Sequence, residues 1–167
     1  CISEDPKDKR LRSSILIQEK DTNVVIDCGP DFRQQMLRVD IDHLDALLFT
    51  HIHADHTAGI DDIRSFTLRQ GSMKVYAKKD VLQNLQERFA YIFAKEDRYE
   101  GAPSIDVFEV FDRKFAIKQI DFQPIEVLHG KLKILGYRTN DFAYLTDVKT
   151  IEQEQLKKLQ NLEVLVI

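Results

Sequence analysis

Tryptophan is absent from this chain, cysteine occurs twice, proline four times and glycine six times in 167 residues. Two cysteines, Cys1 and Cys28, make no disulfide framework and suit a reducing compartment, so a cytoplasmic setting is expected. The scarcity of proline and glycine leaves no collagen-like tract or linker, and no internal repeat interrupts the chain. No apolar run is longer than Phe89 to Ala94, whereas a membrane-spanning helix needs ~20 such residues, so no membrane span is expected. Neither charge sign dominates: 24 Lys+Arg stand against 28 Asp+Glu, a net charge of -4. A broad basic face for nucleic acid is therefore missing, which favours a small molecule over a long polyanion as partner.

What is present is the balance of one globular domain, 43% hydrophobic and 31% charged. A chain of this length buries roughly 70% of its unfolded surface, enough for a core without covalent staples. Its terminal run, Leu162 to Ile167, reads as a buried strand with no turn or polar cap after it, and the chain opens on Cys1. A single domain over residues 1–167, incomplete at both ends, is expected.

Hydrophobic periodicity gives the elements. Ser14 to Glu19 and Asn23 to Asp27 read as strands, followed by a helix from Pro30 towards Val39, a strand from Ala46 to Thr50, a helix from Gly59 to about Leu68 and a strand from Lys74 to Ala77. Leu82, Leu85, Phe89, Ile92 and Phe93 recur at three-to-four spacing, which predicts one helix from Asp80 to about Glu96 with a core-facing stripe. Beyond Gly101 the period falls to two, and strands are expected at Val107–Phe111, Phe115–Phe122, Ile125–Leu128, Lys131–Tyr137 and Phe142–Thr146 as an antiparallel meander. A last helix is expected from Thr150 to Gln160.

Four of these strands finish on a residue capable of metal or acid-base chemistry: Asp27, His51, His129 and Asp147. Ligand sites in layered α/β proteins gather at strand ends, where rigid strands hold groups that loops surround. Polar capping of strands explains any one ending but poorly explains two histidines and two aspartates together. The densest signal is Thr50-His51-Ile52-His53-Ala54-Asp55-His56-Thr57, which places three of the chain's five histidines and an aspartate within six positions. His51 and His53, two apart in an extended turn, can chelate one ion, and Asp55 and His56 can serve a second beside it. Two-metal hydrolytic sites hold their ions about 3.5–4 Å apart, within the span of such a turn. His43 reads as a solvated loop residue and Cys28 as a small core residue.

The pattern His51-x-His53-x-Asp55-His56, followed by Gly59, resembles the signature of the metallo-β-lactamase superfamily, and the resemblance extends from Asp27 and Gly29 through His129 to Asp147. It implies an αββα sandwich with a di-metal site at the sheet edges. By that similarity His51, His53 and His129 hold the first ion, Asp55 and His56 the second, and Asp147 bridges both. Asp27 would orient the histidine turn as an outer carboxylate; Asp27 and Asp55 are thus the carboxylates assigned to catalysis. Gly59-Ile60-Asp61-Asp62-Ile63-Arg64 and Asp27-Cys28-Gly29-Pro30-Asp31-Phe32-Arg33 resemble the phosphoribosyl 1,2-cyclic phosphodiesterase group, in which Arg64 could face the substrate phosphate or pair locally with Asp61 or Asp62. Members of that group often carry a cysteine cluster for a structural zinc, and Cys1 is placed like its last cysteine. The superfamily's final metal-binding histidine follows the last strand seen here, and no histidine follows His129.

The expected chemistry is metal-dependent phosphodiester hydrolysis with two divalent ions, zinc first and manganese as alternative. A water shared by the ions, acidified towards neutrality, attacks phosphorus without a covalent intermediate. The expected substrate is a small cyclic or phosphoribosyl phosphodiester, and a homodimer is possible on sequence grounds. A tRNA 3′-processing endonuclease, a thioesterase and a lactamase are rival enzymes. A non-catalytic domain with a degenerate second site is the rival from another class.

Overall fold

Strand residues that alternate between two apolar faces set the layering of this chain. The computed structural model describes residues 2–94, 96 and 98–167, so Cys1, the residue expected at a structural metal, lies outside the described residues. In the first sheet β1 (Ile15–Glu19) pairs antiparallel with β2 (Thr22–Ile26). The strands β3 (Ala46–Leu48), β4 (Met73–Ala77) and β5 (Ile105–Glu109) then follow in parallel, in spatial order β1-β2-β3-β4-β5. The crossovers carry α1 (Phe32–Val39), α2 (Ala54–Thr57), α3 (Arg64–Gln70), α4 (Lys79–Arg88) and α5 (Ala90–Phe93). In the second sheet β6 (Phe115–Ile117), β7 (Ile120–His129), β8 (Leu132–Thr139) and β9 (Phe142–Tyr144) form an antiparallel meander. After α6 (Gln153–Leu156), β10 (Val164–Val166) joins β9 in parallel.

The two-residue period sorts the side chains into layers. Val24, Ile26, Ala46 and Leu48 point inward and meet Phe122, Leu135, Tyr137 and Tyr144 between the sheets. Their neighbours Val25, Leu47 and Val75 point outward and are covered by Phe32, Ile60, Ile63, Phe66 and Leu85 from the helical layer. On the far side Ile125, Val127, Ile134 and Leu145 lie beneath Val148, Ile151, Leu159 and Leu162. Helices, sheet, sheet and helix make the αββα sandwich that the resemblance implies. Each fully buried valine, leucine, isoleucine or phenylalanine among them contributes about 1.5–3 kcal/mol over its exposed state, which holds β2 and β3 in place on both faces. The Tyr137 hydroxyl donates to the Phe49 carbonyl at 2.8 Å and ties the sheets together just before the histidine turn. No helix of the described residues is long and apolar enough to cross a membrane.

Several elements differ from their expected form. Of the strand expected over Val107–Phe111, residues 107–109 belong not to the meander but to β5, parallel to β4, with Val75 opposite Val107, and the strand ends at Glu109; alternation marks a strand without saying which sheet receives it. Phe115 to Phe122 is two strands, because Lys118 takes a left-handed φ of 50° and turns the chain into a hairpin. From there β7 runs unbroken through Pro124. Pro124 stands opposite Tyr137 in the β7–β8 register, and its carbonyl accepts from Lys158 Nζ at 3.1 Å. The helix expected from Asp80 to Glu96 breaks at Phe89, whose φ of -123° and ψ of 42° separate α4 from α5 while Phe89 still packs on the core. Lys95 and Asp97 lie outside the described residues. The expected helix over 150–160 shrinks to α6 and a 3₁₀ turn, Lys157–Leu159.

Candidate metal centre

The first sheet presents its parallel strand ends to one edge, and the polar residues follow there. Immediately after β2, Asp27 takes a left-handed φ of 65°, and its amide donates to the Leu48 carbonyl at 2.8 Å. The turn after β3 is drawn back against it: Cys28 N–H donates to the His56 carbonyl at 2.8 Å, and Gly59 N–H to the Cys28 carbonyl at 2.9 Å. Two glycines allow that approach. A Cβ on Gly29 would overlap the Asp55 carbonyl, and one on Gly59 would overlap the Gly29 carbonyl. The second sheet grips the same turn, since Leu135 N–H donates to the Thr50 carbonyl at 3.0 Å. From the helical layer, Arg88 donates to the Ile52 carbonyl at 3.0 Å and to Thr57 Oγ1 at 2.8 Å.

Asp27 is fully buried and sits beneath the cluster. Its carboxylate accepts from Thr50 N–H at 2.8 Å, from Thr50 Oγ1 at 2.8 and 3.0 Å, and from His56 Nδ1 at 2.7 Å. Above it His51 Nε2 lies 3.0 Å from His53 Nδ1 and 3.5 Å from Asp147 Oδ2, while His56 Nε2 lies 3.3 Å from the same Asp147 oxygen and 3.7 Å from Asp55 Oδ2. The His129 ring is centred 5.3 Å from that of His53 and 5.9 Å from that of His51. Two sets of three ligand atoms, each within 4.8 Å of one another, therefore exist: His51, His56 and Asp147, and His53, His129 and Asp147. Asp147 belongs to both. Like Asp27, it has a left-handed φ, 54°, an arrangement that collects at functional sites.

The donor set fits cations. Among the described residues no lysine or arginine nitrogen lies within ion-pair distance of Asp55 or Asp147. With His56 Nδ1–H donating to Asp27, its Nε2 lone pair faces two carboxylate oxygens, a repulsive arrangement that a positive ion between them relieves. Burial, reinforced by the neighbouring His56 and His53, pushes the His51 imidazole down to about 4, which keeps it neutral with a free ring nitrogen. His56 moves the other way: burial alone would lower it, but the hydrogen bond and charge of Asp27, with Asp147 and Asp55 nearby, raise it. Burial raises the Asp27 carboxyl, against the pull of the His56 and Thr50 hydrogen bonds.

Of the residues named from the sequence, His51, His53, Asp55, His56, His129 and Asp147 converge here with Asp27 behind them. Arg64 does not join them. It is exposed and forms no ion pair with Asp61 or Asp62; it lines a separate cleft of about 510 Å³ with Arg33, Met36, Asp61, Asp62 and Leu68, none of which is in the cluster. The 3₁₀ turn Ile60–Ile63 and α3 separate Arg64 from the metal turn along the chain, and the cleft that Arg64 lines contains none of the cluster residues. Sequence reasoning passed over Thr50 and Arg88. Thr50 stands beside His51 in the motif but its partner comes from β2, and nothing in the local pattern of α4 marks Arg88.

Residues 22–167 match the family described as the beta-lactamase superfamily domain. An octanoyltransferase of Porphyromonas gingivalis is 41% identical over 169 residues, covering 100% of this chain and 34% of that protein. A solved structure described as a new diphosphatase from the PhnP family is similar with a TM-score of 0.89 and 35% identity, covering 98% of this chain and 62% of that one. Zn(2+)-bound PqqB from Methylobacterium extorquens shares the fold, with a TM-score of 0.72 and 16% identity over 95% of this chain and 62% of that one. Ribonucleases Z are also among the curated relatives, and the chain spans between 23% and 44% of the length of the relatives compared. On the strength of the family match across 22–167 and the αββα arrangement around the histidine turn, the chain belongs to the beta-lactamase superfamily and has the metallo-β-lactamase fold.

Proposed function

We propose that this chain belongs to a metal-dependent phosphodiesterase acting on a small, cyclic or phosphoribosyl-type phosphodiester. The observation that carries this reading is the pair of ligand triplets sharing Asp147. Two divalent cations, zinc first, would be held by His51, His53, His56, His129, Asp147 and the adjacent Asp55, and when bound would supply positive charge for the phosphate and acidify a water by several pKa units.

The chain's own residues account for the rest. His51 and His56 are 1% and 2% exposed, whereas Asp147 and Asp55 side chains are 33% and 51% exposed. The cluster thus opens on its carboxylate side, where a substrate can approach without rearrangement of the buried histidines. Among the described residues no serine or cysteine side chain bonds to the cluster; the Thr50 hydroxyl is buried and engaged with Asp27, and Thr146 Oγ1 lies 3.5 Å from Asp147 Oδ1. This lining suits attack by water without a covalent intermediate, for which bound ions would supply positive charge at the phosphate. The similarity to a PhnP-family diphosphatase at 35% identity supports a phosphorus centre. Because 66% of the octanoyltransferase lies outside the match, its named acyl chemistry is not assigned to this region.

The test uses protein stripped with chelator and reloaded with zinc or manganese. Turnover of bis(p-nitrophenyl) phosphate and of a panel of cyclic phosphodiesters should appear on reloading and vanish in His53→Ala and Asp147→Ala. Near wild-type turnover in either variant after reloading sinks the proposal. The ribonuclease Z relatives supply a second reading: cleavage of a 3′-extended tRNA precursor in preference to every small diester would favour it. Protein that binds no metal and keeps its stability in chelator would instead favour a non-catalytic domain.

A further inference from the structure

We infer that Thr50 is a positioning residue that carries the influence of Asp27 to His51, so that one buried carboxylate fixes the ring orientation and tautomer of His51 and His56 together and links the two metal positions. This rests on the metal reading above for its consequence, but not for its geometry.

The hydrogen-bond arithmetic leads to it. Thr50 Oγ1 has a single proton and three acceptor-capable neighbours: Asp27 Oδ2 at 2.8 Å, Asp27 Oδ1 at 3.0 Å and His51 Nδ1 at 2.9 Å. Two oxygen lone pairs cannot meet at 2.8 Å without a proton between them, so the hydroxyl proton goes to the carboxylate. The hydroxyl oxygen is then free to accept, and the contact with His51 is a donation from Nδ1–H. That leaves His51 Nε2 without a proton, and Nε2 is the atom 3.5 Å from Asp147. His56 donates Nδ1–H directly to Asp27 Oδ2, the oxygen Thr50 also meets, at 2.7 Å, which leaves its Nε2 bare as well, 3.3 Å from the same Asp147 oxygen. A direct bond orients one ring and a one-hydroxyl relay orients the other. Nothing about Thr50 is adjustable: it is fully buried, its amide donates to Asp27 Oδ1 at 2.8 Å, and its carbonyl accepts from Leu135 of the second sheet at 3.0 Å. An outer partner that fixes a ligand ring typically changes metal affinity about 10–100-fold when lost.

The experiment reads the tautomers directly. In metal-free protein labelled with ¹⁵N-histidine and held above neutral pH, two-bond proton–nitrogen correlations should show both His51 and His56 as Nδ1–H tautomers. Thr50→Val, close in shape but without the hydroxyl, should release His51 to a mixture of tautomers, leave His56 fixed, and weaken zinc binding in competition with a chromophoric chelator by about 10–100-fold. Thr50→Ser should restore both readings. In an Asp27→Asn background, Thr50→Val should add little to the loss already present, because the relay has no source. An unchanged His51 spectrum in Thr50→Val, a failure of Thr50→Ser to rescue in a protein with native-like amide dispersion, or full additivity with Asp27→Asn would overturn the inference. Because the tautomer reading is made without metal, it decides the relay even if the protein proves to bind no zinc and the phosphodiesterase reading falls.

Discussion

Asp147 is the residue on which both ligand sets depend, and that asymmetry distinguishes it from every other member of the cluster. Removing His129 breaks only the set with His53, so His129→Ala should retain about one zinc per chain after desalting, by the preference of zinc for at least three protein ligands. Removing Asp147 breaks both sets, and Asp147→Ala should retain almost none. Elemental analysis of the two variants beside the parent measures this, and equal retention by both would contradict a shared carboxylate. The same residue scale shows what could be read without coordinates. His51, His53, Asp55 and His56 are bunched in one turn and so betray themselves by density alone. Thr50 and Arg88 act through partners 23 and 31 positions away, Asp27 and Thr57, and no local pattern encodes such pairings. Arg64, left open between the substrate phosphate and a local pair, starts α3 and lines a cleft that holds none of the ligand residues, and its five-residue spacing from Gly59 does not say which role it has.

At the level of elements, the metal turn is held by how closely two loops approach rather than by α2, which has only four residues. Gly29 and Gly59 make that approach, each lying against a backbone carbonyl of the opposite loop. Gly29→Ala must therefore push the Asp55 segment outward, at a cost of about 1–3 kcal/mol for overpacking a rigid contact. The displaced Asp55 and His56 should lower zinc affinity more than the small global loss implies. Paired thermal melts and zinc titrations check it, and a variant with unchanged zinc affinity would show that the turn adapts. The strands flanking this turn were legible because buried β-branched and leucine runs have few alternatives. β5 was misassigned to the meander because its residues Ile105–Glu109 alternate equally well on either sheet; only pairing with β4 decides. The break at Phe89 was hidden for a related reason, since Leu82, Leu85, Phe89 and Phe93 reach the core whether the helix is continuous or kinked.

For the whole molecule, the sandwich places its functional groups where two separately stabilised sheets meet. Asp27, His51 and His56 come from the first sheet's edge, and His129 and Asp147 from β7 and the segment after β9. The order of layers came from the family resemblance, and the change of period near Gly101 marked only a run of strands; the convergence of two sheet edges on Asp147 was not legible, because it depends on how one sheet lies across the other. An ion bound across that junction must stabilise the packing of the sheets as well as serve chemistry. Free zinc at a hundredfold excess over its dissociation constant adds about 2.7 kcal/mol to folding stability. For a chain of this size each kcal/mol raises the melting temperature by about 2–4 °C, so chelation should lower the transition by roughly 5–10 °C. The dependence should be logarithmic in free zinc and absent in Asp147→Ala, whose junction has lost the shared carboxylate. Differential scanning calorimetry across a zinc-buffered series measures both features. A melting temperature that ignores zinc in the parent chain would mean that the two sheet edges meet without an ion between them, and the proposed metal centre would fall with it.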